Sequence, residues 1–296
     1  HSDIVPADKS KWILDDGTKL DPYKMKVIGN NIYGRGTEDD KCSIVVSLFA
    51  MKIIKENGFK LKRSIRLLIE TTEETSGEGI EYYKEKNKVP DYNIVLDSAY
   101  PVVTAEKGFG IIAAKFKVKK GTGNGPEIIN ITGGLAYNQI PSTSVTTIVT
   151  SDPSGLENKI KKIAEEYIKV NGKNFKIKTS INKKHLLITV IGKSAHSSAP
   201  QNGINPVALM FNFLSEADKQ LNFKNNHFKD AVSYVNDNFG LDYYGNKLGI
   251  AYKDDFMGPL TAALTFVSLA DNQLEVSLNL RAPKGKEPPA LKSEII

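Results

Sequence analysis

The sequence predicts an α/β fold with two domains. At 296 residues the chain is long enough for two domains of ordinary size. Residues 1–109 alternate strand and helix signals, which predicts a mainly parallel sheet, although an incomplete one. Residues 110–296 contain strands with period-two alternation, which is typical of an α+β domain with an antiparallel sheet.

The first domain is read from four segments. Residues 42–57 carry apolar side chains at helical spacing and end in an Asn-Gly pair, which predicts a helix. Two apolar runs, 64–71 and 92–97, are interpreted as buried strands, and a short helix is expected between them at 78–87. Ligands bind beyond the carboxyl ends of strands in open parallel sheets, so residues that follow these runs are candidates for a site.

The second domain is predicted from three alternating strands and two amphipathic helices. The strands are expected at 111–118, 176–178 and 274–280, and the helices at 156–170 and 206–220. No internal repeat or low-complexity segment interrupts this pattern.

Composition excludes several classes of protein. The net charge is +6, but 36 of the 40 basic residues are lysine and no aromatic-spaced basic motif is present, so we expect no nucleic-acid partner. No apolar run approaches the ~20 residues of a membrane span. The single cysteine, Cys42, fits a reducing compartment, and we expect a cytoplasmic location. The chain begins with His1, so an internal fragment of a longer protein is expected.

Acidic and imidazole groups recur at loop positions of the first domain. The stretch IETTEETSG places Glu73 and Glu74 side by side after an apolar run, although like charges repel. Each group taken alone has a structural explanation: Asp39 as a helix cap, Asp97 as a turn cap, His1 as an exposed end. Together, one imidazole and several carboxylates predict a site for one or two divalent cations.

Eight motifs give the chain a resemblance to a known family. It resembles the dinuclear zinc aminoacylase/carboxypeptidase metallopeptidases, in particular their bacterial PepV-like dipeptidase branch, as a fragment that lacks both ends. The motifs span nearly the whole chain, in order: HSDIVPA, GRGTEDDK, TTEETSG, LDSAYPVVTAEKG, GGLAYNQIPS, GKSAHSSAPQNGINP, LGIAYKDDFMG and LRAPKG.

The resemblance implies a ligand set for two divalent metal ions. His1 and Asp97 would hold one ion, Glu74 would hold the other, and Asp39 would bridge them, with a cis peptide to Asp40 as a further expectation. Zn²⁺ is the expected metal, with Mn²⁺ or Co²⁺ as alternatives. Similar enzymes take a further histidine ligand from a C-terminal segment, which these residues do not include.

The resemblance also implies catalytic and substrate-binding residues. Asp3 would orient the imidazole of His1, and Glu73 would be the general base. In the second domain, which would be a lid, His196 would reach across a cleft to stabilise the oxyanion. Asn138 and Arg281 would hold the substrate together with His196. A lone histidine is more often structural, and Arg281 has the alternative of a solvated edge residue.

The implied function is hydrolysis of short peptides by a water that bridges two divalent metals. Related alternatives are an amidohydrolase that acts on N-acyl amino acids and a catalytically dead binding module of the same fold. The expected partner is a small peptide substrate, and a monomer is expected because the second domain is large. The chain itself is expected to be inactive if truncated. His185 and His227 match no motif and are expected at the surface.

Overall fold

The structure of the chain, a computed structural model, describes residues 1–98, 101–172 and 174–295. Ala99 and Tyr100, within the LDSAYPVVTAEKG motif, lie outside the described residues. The chain forms two compact units, His1–Thr104 and Ala105–Ile296. Across the described residues, no helix combines the length and hydrophobicity that a bilayer span requires.

The first unit contains a small hairpin and two helices. Strands β1 (Lys26–Ile28) and β2 (Asn31–Tyr33) pair antiparallel. Helices α1 (Cys42–Glu56) and α2 (Glu78–Lys86) occupy the segments where helices are predicted. Asn57 and Gly58 close α1, because Gly58 adopts a left-handed φ of 65° that a glycine accepts without steric cost.

The parallel sheet predicted for the first unit is not confirmed. The described parts of 64–71 and 92–97 carry no strand pairing. Their apolar side chains stay exposed, with Ile94 at 86% and Val95 at 80%. The side chain of Phe49 on α1 is likewise 59% exposed. A parallel strand needs neighbours that are distant in sequence, and the described residues of this unit do not supply them.

The second unit is built on an antiparallel sheet. Its strands, with those of two small pairs, run as follows: β3 Gly108–Lys117, β4 Glu127–Gly133, β5 Gln139–Ile140, β6 Thr143–Val149, β7 Lys176–Asn182, β8 His185–Ile191, β9 Ala195–His196, β10 Lys253–Asp254, β11 Gly258–Pro259, β12 Thr261–Ala270 and β13 Gln273–Ala282. Seven of them form the sheet in the order β3-β13-β12-β4-β6-β8-β7, while β5 pairs with β9 and β10 pairs with β11 outside it. The predicted antiparallel sheet is therefore confirmed.

The helices of the second unit contribute buried side chains to one hydrophobic core. They are α3 (Pro153–Asn171), α4 (Pro206–Leu221), α5 (His227–Asn238) and α6 (Pro288–Ile295). Fully buried aromatic rings such as Phe211, Phe213 and Phe228 fill this core. The first three helices begin at polar caps whose side chains accept main-chain N–H bonds: Asp152, Asn205 and Asn226.

One expectation about a side chain in this unit is wrong, and one alternative fails. His227 is buried at the start of α5, where its Nδ1 accepts the main-chain N–H of Lys119 at 3.3 Å. Its position follows from the Asn226 cap, which the sequence pattern did not reveal. The alternative of Arg281 as a solvated edge residue also fails, because β13 lies between β3 and β12 and the Arg281 side chain is 12% exposed.

Candidate functional site

The imidazole of His1 is the centre of an acidic cluster in the first unit. Its Nε2 atom lies 3.0 Å from Oδ1 of Asp39, 3.5 Å from Oδ2 of Asp97 and 3.7 Å from Oε2 of Glu73. The His1 side chain is 2% exposed. Residues separated by up to 96 positions therefore converge on one nitrogen atom.

Two groups in this cluster have the spacing of metal ligands. One consists of His1, Asp39 and Asp97, and the other of His1, Glu73 and Glu74; within each group the candidate ligand atoms all lie within 4.8 Å of one another. The structure thus brings together all four predicted metal ligands and the predicted base. Their individual roles remain predictions.

Local backbone geometry presents Asp39 to the cluster. The turn Thr37–Lys41 precedes α1, and Asp39 departs from helical geometry with φ −108° and ψ 93°. The peptide bond between Asp39 and Asp40 is cis, as expected. The carboxylate of Asp40 is buried and lies 2.7 Å from the main-chain nitrogen of His1. Asp40 therefore faces the backbone of His1, while Asp39 faces its ring.

A tight turn presents Glu73 and Glu74. The N–H of Gly77 donates to the carbonyl of Thr72 at 2.8 Å, and Gly77 has a left-handed φ of 66°. The carboxylate of Glu70 accepts the N–H of Thr72 at 2.8 Å, which fixes the start of the turn. This turn holds the adjacent carboxylates of Glu73 and Glu74 close to the imidazole of His1.

Asp3 contacts both the imidazole and the glutamate turn. Its Oδ1 lies 3.2 Å from Nδ1 of His1, and its Oδ2 accepts the main-chain N–H of Glu74 at 2.9 Å. When Nδ1–H donates to a carboxylate, the ring is held in the tautomer whose Nε2 can bind a metal. This geometry supports the orienting role predicted for Asp3.

The negative charge of the cluster is costly without a cation. Burial, and after it the charges of Asp39 and Glu73, together raise the pKa of Glu74 to about 7. The pKa of Glu73 is also raised, first by burial and then by the charges of Asp97, Asp3 and Asp39. Carboxyls that repel one another in a confined place ionise readily only when a positive charge joins them.

The donor set fits a divalent metal ion. One imidazole nitrogen and several carboxylate oxygens converge, and this mixture suits Zn²⁺ and other borderline divalent ions. Burial and then the charges of neighbouring carboxylates raise the pKa values of both glutamates, and a bound cation would counter this effect. The imidazole and carboxylate donors of this cluster therefore fit the divalent metal ions that the sequence implies.

A second cluster lies in the other unit, on the short β5–β9 pair. Gln139 pairs with His196, and the N–H of Ser197 donates to the carbonyl of Asn138 at 2.9 Å. The predicted substrate-binding residues Asn138 and His196 are thus held by the same two-stranded ribbon.

Arg281 adjoins this ribbon through β12. Thr261 pairs with Arg281 across β12 and β13, and the Thr261 hydroxyl donates to the carbonyl of Ser197 at 3.3 Å. Burial lowers the pKa of His196, and the charge of Arg281 lowers it further. Arg281, Asn138 and His196 therefore form one group within this unit.

Sequence reasoning missed two residues that hold Arg281. Its guanidinium lies over the ring of Phe109 at 4.9 Å from the centroid, and its Nη1 is 3.9 Å from Oε1 of Glu106. Both contacts come from the TAEKGFG stretch. Glu106 belongs to the LDSAYPVVTAEKG motif but had no predicted role, and the pairing of Arg281 with Phe109 across β13 and β3 brings this stretch to the guanidinium.

The chain belongs to peptidase family M20/M25/M40, whose sequence profile matches residues 1–279. Members of this family are generally metal-dependent.

Two proteins similar to this chain are named dipeptidases. The chain is 32% identical over 303 residues to the "Beta-Ala-Xaa dipeptidase" of Lactobacillus delbrueckii subsp. lactis, an alignment that covers 100% of the chain and 59% of that protein. It is 27% identical over 287 residues to the "Putative dipeptidase YtjP" of Bacillus subtilis (strain 168), covering 96% of the chain and 58% of that protein. The chain therefore spans less than two thirds of the length of these relatives.

Proposed function

We propose that the full-length protein is a metal-dependent dipeptidase. The observation that carries this proposal is the convergence of Asp39, Asp97 and Glu73 on Nε2 of His1, in a chain of a peptidase family. The dipeptidase names of the two relatives support short peptides as the substrate class.

Two divalent ions are proposed for the acidic cluster, with Zn²⁺ as the expected metal. His1 and Asp97 would hold one ion, Glu74 would hold the other, and Asp39 would be shared between them. The two ligand groups around His1 support this division. Bound divalent ions supply two things in such sites: they lower the pKa of water and they polarise a carbonyl oxygen.

The residues of the chain then have distinct roles. Glu73 takes a proton from the attacking water and returns it to the leaving amine. Its raised pKa suits this task, because a base works best when its pKa approaches the working pH. Asp3 keeps the ring of His1 in the metal-binding tautomer.

The second unit would bind the substrate. Arg281 provides a planar fork for the free α-carboxylate of a peptide, and its contact with Phe109 limits the orientations of that fork. Asn138 would bind the peptide beside it. His196 would donate a hydrogen bond to the carbonyl oxygen where negative charge develops. Residues 1–109 are accordingly proposed as the metal-binding domain and residues 110–296 as the substrate-binding lid.

We further propose that 64–71 and 92–97 become strands of a parallel sheet in the full-length protein. The exposed Ile94 and Val95 support this, because a strand buried on both faces reads as a continuous apolar run. The full-length protein is also proposed to be a monomer and to be located in the cytoplasm.

The test uses the full-length protein, stripped of metal with a chelator and then supplied with Zn²⁺, Mn²⁺ or Co²⁺. Rates are measured on free dipeptides, including β-alanyl dipeptides, and on N-acetyl amino acids. We expect activity on dipeptides to disappear with the metal and return with it, at two metals per chain by elemental analysis. Faster hydrolysis of N-acetyl amino acids would instead identify an aminoacylase, and no hydrolysis of either class would identify a binding protein.

A further inference from the structure

The imidazole of His196 makes two contacts with Ser198 through one ring nitrogen. Nδ1 of His196 lies 2.7 Å from the hydroxyl oxygen of Ser198, and the main-chain N–H of Ser198 donates to the same Nδ1 at 3.2 Å. A main-chain amide can only donate, so Nδ1 has to be the unprotonated nitrogen of a neutral ring. The hydroxyl rotates freely and therefore donates to Nδ1 as well. Both contacts leave the ring proton on Nε2.

The surroundings of His196 also favour the neutral ring. His196 is an exposed residue, but the partial burial of its ring lowers its pKa. The nearby charge of Arg281 lowers the pKa further, and the carboxylate of Glu106 opposes this more weakly. Below its pKa the ring would be doubly protonated and Nδ1 would no longer accept. At neutral pH the ring is therefore a neutral donor through Nε2.

The backbone fixes Ser198 at this distance from the ring. The N–H of Ala199 donates to the carbonyl of His196 at 3.0 Å, which closes a tight turn around Ser197 and Ser198. Ser197 is itself held on both sides, by the carbonyl of Asn138 and by the hydroxyl of Thr261. The turn therefore places the main-chain N–H of Ser198 at the ring, and it brings the Ser198 hydroxyl within reach of the same nitrogen.

We propose that Ser198 is a positioning residue, which holds His196 in the tautomer that carries its proton on Nε2. In that tautomer Nε2–H donates to the substrate oxygen as negative charge develops on it. In the other tautomer Nε2 would present a lone pair to that oxygen, and the interaction would be repulsive. The inference rests on the oxyanion-stabilising role proposed for His196.

The kinetic test uses the metal-loaded full-length protein with Ser198→Ala, Ser198→Thr and the matched control Ser197→Ala. The control removes a hydroxyl from the neighbouring residue, and that hydroxyl is buried without a hydrogen-bond partner among the described residues. Loss of a complete oxyanion donor lowers kcat by about 10²–10³. Ser198→Ala keeps the main-chain N–H, so we expect a smaller loss of about tenfold in kcat with little change in KM. Thr at position 198 should restore kcat, and Ser197→Ala should leave it unchanged.

The second measurement needs no turnover. In ¹⁵N-histidine-labelled full-length protein at neutral pH, with His196 assigned by a His196→Gln variant, we expect Nε2 protonated and Nδ1 unprotonated. Ser198→Ala should increase the fraction protonated on Nδ1, whereas Ser198→Thr and Ser197→Ala should not. A wild-type ring protonated on Nδ1, or a Ser198→Ala variant with wild-type spectrum and kcat, overturns the proposal. If the protein hydrolyses no dipeptide, the proposed function fails, and the spectrum alone then decides the role of Ser198.

Discussion

Asp3 binds the backbone of Glu74: its Oδ2 accepts the main-chain N–H of Glu74 at 2.9 Å. The other oxygen of the same carboxylate faces the ring of His1. One side chain therefore sets the distance between the imidazole and the turn that carries the glutamates. A residue with this geometry affects a metal site without being a ligand.

The first prediction concerns this link. Asp3→Asn keeps the shape of the side chain but replaces one carboxylate oxygen by an NH2 group, so either Nδ1–H of His1 or the N–H of Glu74 loses its acceptor. We expect the affinity of the full-length protein for Zn²⁺ to fall about 10–100-fold. Competition with a chromophoric chelator measures this change. The control is Asp16→Asn, because Asp16 accepts a bond from the N–H of Thr18 in an exposed turn. Equal affinities for the two variants would contradict the orienting role.

The second prediction separates a base from a ligand at Glu73. Glu73→Gln removes the proton acceptor at nearly constant volume, so we expect kcat to fall by about 10²–10⁴ while both metals remain bound. Elemental analysis and kinetics on the same sample measure the two quantities. Glu78→Gln, an exposed change in the first turn of α2, serves as the control. Loss of one metal from Glu73→Gln would assign Glu73 to the ligand set, which its distance of 3.7 Å from Nε2 of His1 also permits.

The third prediction concerns recognition of the peptide carboxylate. Arg281→Lys keeps the charge but loses the planar fork and the stacking on Phe109. A hydrogen bond to a charged group contributes about 1.5–3 kcal/mol, so we expect kcat/KM for free dipeptides to fall about 10–100-fold. Dipeptides with an amidated C-terminus should be affected much less, because they offer no carboxylate. Arg66→Lys, an exposed residue that donates to the hydroxyl of Tyr83, is the control. An equal loss of kcat/KM for free and amidated dipeptides would contradict the assignment of Arg281 to the peptide carboxylate.

The fourth prediction is a dependence of stability on pH. The pKa of Glu74 is raised from 4.5 to about 7, so in the absence of metal the folded state binds this proton more tightly than the unfolded state does. The contribution of Glu74 to stability therefore falls as pH rises through this interval. We expect the Tm of the metal-free full-length protein to fall from about pH 4.5 to about pH 7, and Zn²⁺ to reverse the trend because it binds the carboxylate form.

Glu74→Gln supplies the control for this pH series. The variant cannot ionise at position 74, so its metal-free Tm should depend less on pH than that of the wild type. Thermal unfolding followed by circular dichroism at fixed ionic strength measures both proteins. An identical slope in the variant would show that another group titrates in this interval.

Local patterns predicted the parts of the fold that depend on local interactions. The helices α1, α3 and α4 were identified because their apolar spacing and their caps lie within a few residues of one another. Strand β12 was missed for a physical reason: it is buried on both faces of the sheet, so its sequence TAALTFVSLA shows no alternation. Helix α5 was missed because its Asn226 cap and buried His227 carry no distinctive spacing.

The site was predicted at the level of residue types and not of contacts. The motifs identified His1, Asp39, Glu74 and Asp97, and the structure places these residues around one imidazole. The second contact of Asp3, to the N–H of Glu74, was not predicted because it joins residues 71 positions apart through the backbone of one of them. The contacts of Arg281 with Phe109 and Glu106 likewise depend on strand register, which a single sequence does not specify.

The β5–β9 ribbon couples the positions of Asn138 and His196. Main-chain hydrogen bonds join the segment of Asn138 to the segment of His196. A change in the length of a loop beside either segment would therefore displace both side chains. Arg281 lies outside the ribbon, on β13, so a substitution there leaves the main-chain bonds of the ribbon in place. The residue at position 281 can therefore be replaced independently, whereas Asn138 and His196 change their positions together.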